Sequence, residues 1–288
     1  MLRKVKFMSG LNEIIDEFYN QAKKNILFYH FSMPVNYNSQ QLYQGLNFLI
    51  LGMNPKTLGD PRWGTLQEFN DHHISVPKTA EVVNILQWKD QFAGMSLSAL
   101  PVFNITDTSD YGSYEKNYMT IDLYDFLQTY RIPFSEAENN INSYSQLSNV
   151  LYINTEVTDE HDFEKAFPAI SRWVVNNYDL QADNVIRKLD QQTLPKFLVI
   201  LEDLVMFKLA NQLNIHIKKC MAPENVTEAI CYLYEKNRKS LLLYTFVLAD
   251  KIISNFISRQ DDSNLKKIFL DFMPSDNAYE ILKTLSAL

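Results

Sequence analysis

Tyr43-Gln44-Gly45-Leu46-Asn47-Phe48-Leu49-Ile50-Leu51-Gly52, a polar break, and then Gly59-Asp60-Pro61-Arg62-Trp63-Gly64-Thr65-Leu66 form the stretch around which this chain is organised. An aromatic and a glycine open an apolar run that carries a single Asn among aliphatics. The run reads as a buried helix with a tight turn after it. Gly45 is one of only seven glycines, so it marks close backbone approach rather than looseness. Pro61 holds the turn, and Thr65 is placed to cap a helix that begins near Leu66.

The 288 residues suit two domains of ordinary size, each able to bury its own core. With 46% of residues apolar and no long low-complexity tract, the chain is a folded globular protein. Apolar runs such as Leu46–Leu51 and Leu241–Val247 fall far short of a membrane span, so no membrane partner is expected. Met1-Leu2-Arg3-Lys4 leads into no apolar signal core, which argues against export. Cys220 and Cys231 read as two buried thiols of a cytoplasmic protein. A net charge of −7 excludes indiscriminate grip on nucleic acid, because affinity for phosphate depends on Lys and Arg. Charges nearly balance up to Gly112, so the acidic excess sits in the second half and leaves room for a basic groove in the first.

Helical spacing appears over Leu11–Lys24, and Phe28-Tyr29-His30-Phe31 follows as an aromatic segment able to stack on bases or to pack a core. The polar stretch Asp107–Tyr118 is the expected domain boundary. Beyond it come a short helix over Ile121–Tyr130, a polar linker over Glu136–Gln146 and a strand at Val150–Ile153. Helical patterns then occupy Phe163–Asn177, Ala182–Leu189, Pro195–Leu213, Val226–Lys236, Ser240–Ser258 and Asn277–Leu285.

Several of these residues carry a resemblance. Asn36, then Tyr43-x-Gly45-x-Asn47, then Pro61-Arg62-Trp63-x-Thr65, resemble the N-terminal single-stranded-DNA-binding domain of ArdC-type antirestriction proteins, a family carried by plasmids and phages. Val76-Pro77-Lys78 stands at the family's basic segment. Val82–Trp88 and Leu100–Ile105 stand at its hairpin, which closes on Phe103-Asn104. The resemblance covers roughly residues 10–110. It implies a DNA-facing set of Tyr43, Asn47, Arg62, Trp63 and Lys78. Arg62 and Lys78 would meet phosphates, and Trp63 and Tyr43 would stack on bases. Core packing is the alternative for both aromatics, and a buried amide satisfying a turn is the alternative for Asn47.

The second half resembles the family's zinc-metallopeptidase-like domain, in which a helix bears H-E-x-x-H-W and a later helix bears an acidic segment. Pro168-Ala169-Ile170-Ser171-Arg172-Trp173 stands at the first, with Pro168 and Arg172 at the two His positions and Ala169 at that of the Glu. Leu201-Glu202-Asp203-Leu204-Val205-Met206-Phe207 keeps the shape of the second. A catalytic zinc needs about three protein ligands, two normally from His at i and i+4, and a carboxylate as general base. Pro and Arg ligate nothing, and Ala169 is no base. Pro168, Ala169, Arg172, Glu202 and Asp203 therefore mark a degenerate metal site, and no cofactor is expected. Glu160-His161-Asp162 reads as a solvated helix start, and His216 with Cys220 lacks the setting that activates a thiol.

The expectation is an α+β protein. A small DNA-binding-like domain spans residues 1–112, and a mainly helical, degenerate zincin-like domain spans 113–288. The implied function is non-enzymatic antirestriction in the cytoplasm of a bacterial host, through binding of single-stranded DNA. The alternative is inhibition of a host restriction or other defence protein by direct binding. Loss of Arg and Gly from the basic segment, leaving Pro77-Lys78-Thr79-Ala80, favours that alternative.

Overall fold

In the computed structural model the described residues are 2–91, 94–109, 112, 114–116, 118, 122–137, 141–154, 161–218 and 221–258. Helix α1 (Leu2–Ala22) precedes a two-residue strand β1 (Val35–Asn36), helices α2 (Gly45–Gly52) and α3 (Pro55–Gly59), strand β2 (Arg62–Gly64) and helix α4 (Leu66–Asp71). Strands β3 (Val83–Gln91) and β4 (Gly94–Asn104) follow as a hairpin. Next come α5 (Leu123–Thr129), β5 (Phe134–Glu136), β6 (Ser143–Ser145), β7 (Val150–Ile153) and α6 (His161–Asn176). Three long helices end the described chain: α7 (Thr193–Gln212), α8 (Glu224–Glu235) and α9 (Lys239–Ser258).

Local chemistry explains the elements of the opening stretch. The α2 run starts at Gly45 with φ +54°, a left-handed value that costs a residue with a Cβ about 1 kcal/mol or more. Conformation, not crowding, is what requires this glycine, because an added Cβ would meet only Val247 at an ordinary 3.8 Å. The close approach is made by Gly52 instead, where a Cβ would lie 2.0 Å from the Phe28 ring. Asn54 caps α3 through Lys56 N, and Pro55 fills its first turn. Thr65 and Glu68 form a reciprocal capping box on α4.

The described parts of Met1–Lys116 and Cys220–Val247 make one compact unit, and those of Asn117–Lys219 and Leu248–Asp271 make another. A continuous second domain over 113–288 is thus corrected: α8 and the start of α9 belong with the first unit. No local signal could have revealed this, since an amphipathic helix does not declare which core it faces.

In the first unit the sheet order is β1-β2-β4-β3. β1 runs parallel to β2, pairing Asn36 with Trp63, and β2 runs antiparallel to β4, pairing Trp63 with Asn104. β3 and β4 pair from Val83↔Val102 to Gln91↔Gly94, extending the expected hairpin by several residues. Phe28, Tyr29 and His30 form a buried 3-10 turn, which gives them the second of the two roles open to them, packing a core. Phe28 meets Phe18, Phe48 and Phe246 in an aromatic core.

The second unit has a three-stranded sheet in the order β5-β7-β6, with β5 parallel and β6 antiparallel to β7. Two of these strands lie in or beside the stretch read as a linker. They are three residues long and none of their residues is buried, so no alternation betrays them. A helix over Ala182–Leu189 is replaced by two 3-10 turns, Leu180–Ala182 and Ile186–Lys188. Asp183 Oδ1 accepts from the N–H groups of Val185 and Ile186, the local bonding by which Asp competes with helix. Helix α9 begins one residue before the expected Ser240–Ser258; it is long and apolar enough by composition to cross a membrane, but 72% of its apolar window is buried within the protein. The helix expected over Asn277–Leu285 lies outside the described residues.

Candidate functional site

The turn at Asp60-Pro61-Arg62-Trp63 is built by hydrogen bonds that converge on β2. Asp60 is 1% exposed, and its carboxylate accepts from Arg62 N and Nε at Oδ1, each at 2.9 Å, and from Arg62 Nη2 at Oδ2, at 2.7 Å. The same guanidinium donates to the carbonyl of Gly112 and lies 5.4 Å from the Tyr114 ring centroid. Its charge is therefore met inside the protein by a fork-to-fork pair, the strongest arrangement open to an Arg. A primary role for Arg62 on phosphate is corrected accordingly.

Trp63 is fully buried, with 0% exposure. Its Nε1–H donates to Thr57 Oγ1 at 3.0 Å, and Thr57 in turn donates to the Leu51 carbonyl at 2.5 Å. A ring enclosed on all sides cannot stack on a base, so Trp63 is a core residue that ties β2 to α2 and α3. Tyr43 is half-buried; its hydroxyl donates to the Trp63 carbonyl at 3.2 Å and receives Asn36 Nδ2 at 3.4 Å. Burial pushes that hydroxyl above its ordinary range. Asn36 also donates to Glu68, linking β1 to the capping box of α4. These bonds leave Tyr43 a brace rather than a stacking platform.

Asn47 clamps the hairpin. Its Nδ2 donates to the Leu86 carbonyl and its Oδ1 accepts from Leu86 N–H, both at 2.8 Å. One carboxamide thus does for β3 what a neighbouring strand would do, at the outer edge of the sheet. The role is a clamp across 39 residues of sequence, not a contact to DNA and not a turn. Lys78 alone of the five lies exposed. Lys56, unremarked in the sequence, is met by Asp107 at 2.6 Å and Glu81 at 3.0 Å.

Sequence reasoning gave no role to two residues that hold this network, Asp60 and Thr57, and no partners to a third, Asn104. Asp60 stood two positions before Arg62 and could have been found as its counter-charge. Thr57 gave no local signal, and Asn104, singled out as half of the pair that closes the hairpin, gave no sign of its partners. Asn104 Nδ2 reaches the carbonyls of Asp60 and Arg62, contacts that appear only once β4 lies beside β2.

In the second unit, Pro168 is an exposed interior residue of α6, Ala169 is buried, and Arg172 is 56% exposed at its side chain. On α7, which packs against α6, Asp203 is buried and Glu202 is 23% exposed at its side chain. Arg172 Nε meets Glu202 Oε2 at 3.3 Å. Burial pushes the Glu202 carboxyl up, against the pull of the Arg172 charge. Trp173 is 9% exposed and meets Phe256 edge-on. His216 Nδ1 lies 3.4 Å from Glu164, whose carboxylate also accepts Lys218 N. Cys220 and Glu160 lie outside the described residues. Among the described residues, no three His, Cys, Asp or Glu side chains are grouped to hold a metal ion. The α6 positions offer an imino ring, a methyl and a guanidinium. None donates a lone pair, and the guanidinium already holds the nearest carboxylate. This donor set does not fit a metal.

Residues 11–120 match the family model of the N-terminal domain of anti-restriction factor ArdC. No curated protein matches the chain. Among solved structures, the antirestriction ArdC protein from plasmid R388 in its Mn(II)-bound form superposes with a TM-score of 0.67 at 13% identity, over 88% of this chain and 99% of that one. Its metal-free form gives 0.66 at 12% identity, over 87% and 97%. At these identities the match establishes a shared fold along most of both chains.

Proposed function

Because residues 11–120 are an ArdC-type N-terminal domain in a chain with the ArdC fold, we propose that the protein serves antirestriction for a plasmid or phage by binding, without metal chemistry. The observation that carries this reading is the donor set of α6. Where the resemblance puts two imidazoles and a carboxylate, Pro168, Ala169 and Arg172 stand, and Arg172 is engaged with Glu202. Neither a Lewis acid nor a general base can be assembled from these groups, so the protein is a pseudo-metallopeptidase.

Single-stranded DNA is the ligand that the resemblance implies. With Trp63, Tyr43 and Asn47 committed to the scaffold and Arg62 to Asp60, the contact falls to Lys78 and its exposed surroundings. Affinity is then modest and weakly salt-dependent. A protein target, such as a host restriction or other defence component, is the second reading. The neutralisation of Arg62 and Lys56 by Asp60, Asp107 and Glu81 favours it, because paired cations release few counterions on meeting phosphate.

A salt titration of binding to single- and double-stranded oligonucleotides tests the first reading. Single strands should bind at low salt and double strands more weakly. Lys78→Ala should flatten the slope of log K against log salt by about 0.7, one contact's worth on a single strand, whereas Arg62→Ala should leave the slope unchanged. Absence of single-strand binding at low salt would overturn the DNA reading and leave a protein target as the function.

A further inference from the structure

We infer that the Arg172 guanidinium does the work of the missing metal ion: a cation carried by α6 itself neutralises the carboxylate of Glu202 and ties α7 to α6. The inference rests on reading the α6 positions as emptied of metal donors and adds what has taken their place. Three observations converge. Arg172 and Glu202 come from helices packed against each other and meet at 3.3 Å. The Glu202 side chain is only 23% exposed, so without a positive partner it would leave a largely desolvated charge against α6. Ala169 and Trp173, on the same helix, are buried, so the pair sits at the margin of a packed interface and not on a free surface.

A bound metal would link imidazoles on one helix to a carboxylate on the other through a diffusible ion. Here the positive charge is covalently part of the chain. The link cannot be removed by a chelator or supplied by an ion, and the same guanidinium repels any cation that approaches Glu202. The site has been converted from one that binds a cation to one that contains it.

Equilibrium urea unfolding of the full-length protein tests this with a double-mutant cycle of Arg172→Ala, Glu202→Gln and the pair together. Arg172→Ala should lower the folded-to-unfolded ratio, and the loss should shrink when Glu202 is already Gln. Because Arg172 is more than half exposed, the coupling expected is about two- to fivefold in that ratio. Arg172→Lys keeps the charge and should retain part of the coupling, which provides a reading if Arg172→Ala does not fold. The wild-type thermal midpoint should be the same in excess EDTA and in millimolar MnCl2 or ZnCl2. An additive cycle, or a wild-type midpoint that Mn(II) raises and EDTA lowers, overturns the inference. Neither result bears on whether the protein binds DNA or a defence protein, so this failure is separable from failure of the binding reading.

Discussion

Replacing Asn47 separates a scaffold from a DNA contact. The side chain makes two hydrogen bonds to one backbone residue, both at 2.8 Å and both half-shielded from water. Each such bond contributes about 0.5–1.5 kcal/mol net, so Asn47→Ala forgoes about 2 kcal/mol. Ala is the better helix former within α2 and returns about 0.5 kcal/mol. The net loss expected is about 1–2 kcal/mol, a fall of several degrees in thermal midpoint. Hydrogen exchange supplies the local reading: the Leu86 amide should lose protection, since its acceptor is gone. Asn47→Asp sharpens the test. A carboxylate still accepts from Leu86 N–H, but its second oxygen faces the Leu86 carbonyl, two acceptors opposed. The folded state should then prefer the protonated acid, which can donate, so the Asp pKa is raised on folding. That penalty is present above the raised pKa and relieved as pH falls through it. The Asp variant should therefore regain stability toward acid while the Ala variant does not. If Asn47→Ala leaves midpoint and Leu86 protection unchanged but weakens single-strand binding, the clamp is wrong and Asn47 faces DNA.

Two further outcomes follow from the same geometry. Trp63→Ala should cost about 3–5 kcal/mol by cavity formation and loss of the bond to Thr57, and Trp63→Phe less, as read by urea unfolding; a well-folded Ala variant with only its DNA affinity reduced would restore Trp63 to the surface. Burial lowers the Lys116 ammonium from its ordinary 10.5 to about 8, so the folded state holds its proton less firmly than the unfolded chain. Both states are protonated below about pH 8, where the full penalty applies, and stability should rise between pH 8 and 10.5 by up to about 3 kcal/mol. Lys116→Met should flatten that rise relative to wild type, and an unchanged pH profile would show that Lys116 is solvated.

What the sequence could and could not disclose follows from the range of the interactions involved. Helix α2, the Thr65 cap and the hairpin were legible because periodicity and capping act over a few residues. Gly45 was legible as exceptional but not for its reason, since a left-handed φ and a close approach leave the same mark on a sequence. Trp63 beside Arg62 looks the same whether it points at a base or at Thr57, and only the pairing of β2 with β4 and β1 encloses it. Arg62 was the avoidable error, because Asp60 lies two residues away. In the second unit, the sequence itself shows that Pro168, Ala169 and Arg172 carry side chains that donate no lone pair. The partnership of Arg172 with Glu202 was not legible, because 30 residues separate them and nothing local says that α6 and α7 adjoin.

The placement of the recognised residues alters what such a motif means. Asn36, Tyr43, Asn47, Asp60, Arg62, Trp63, Thr65 and Asn104 bond chiefly to one another and to the backbone of β2, α4 and β3. A set of this kind specifies a fold stringently, because each buried polar group left unmatched costs about 1–3 kcal/mol. It says little about a ligand, which must be met by groups still holding donors or charge to spare. Recognition by these residues and recognition of DNA are then separate properties carried by separate side chains. A chain can keep the first wholly while the second thins to a residue such as Lys78. In the second unit α6 packs against α7, and Arg172 and Glu202 form an ion pair between them. In both units the described polar groups at these positions serve the packing of the fold before they serve any ligand.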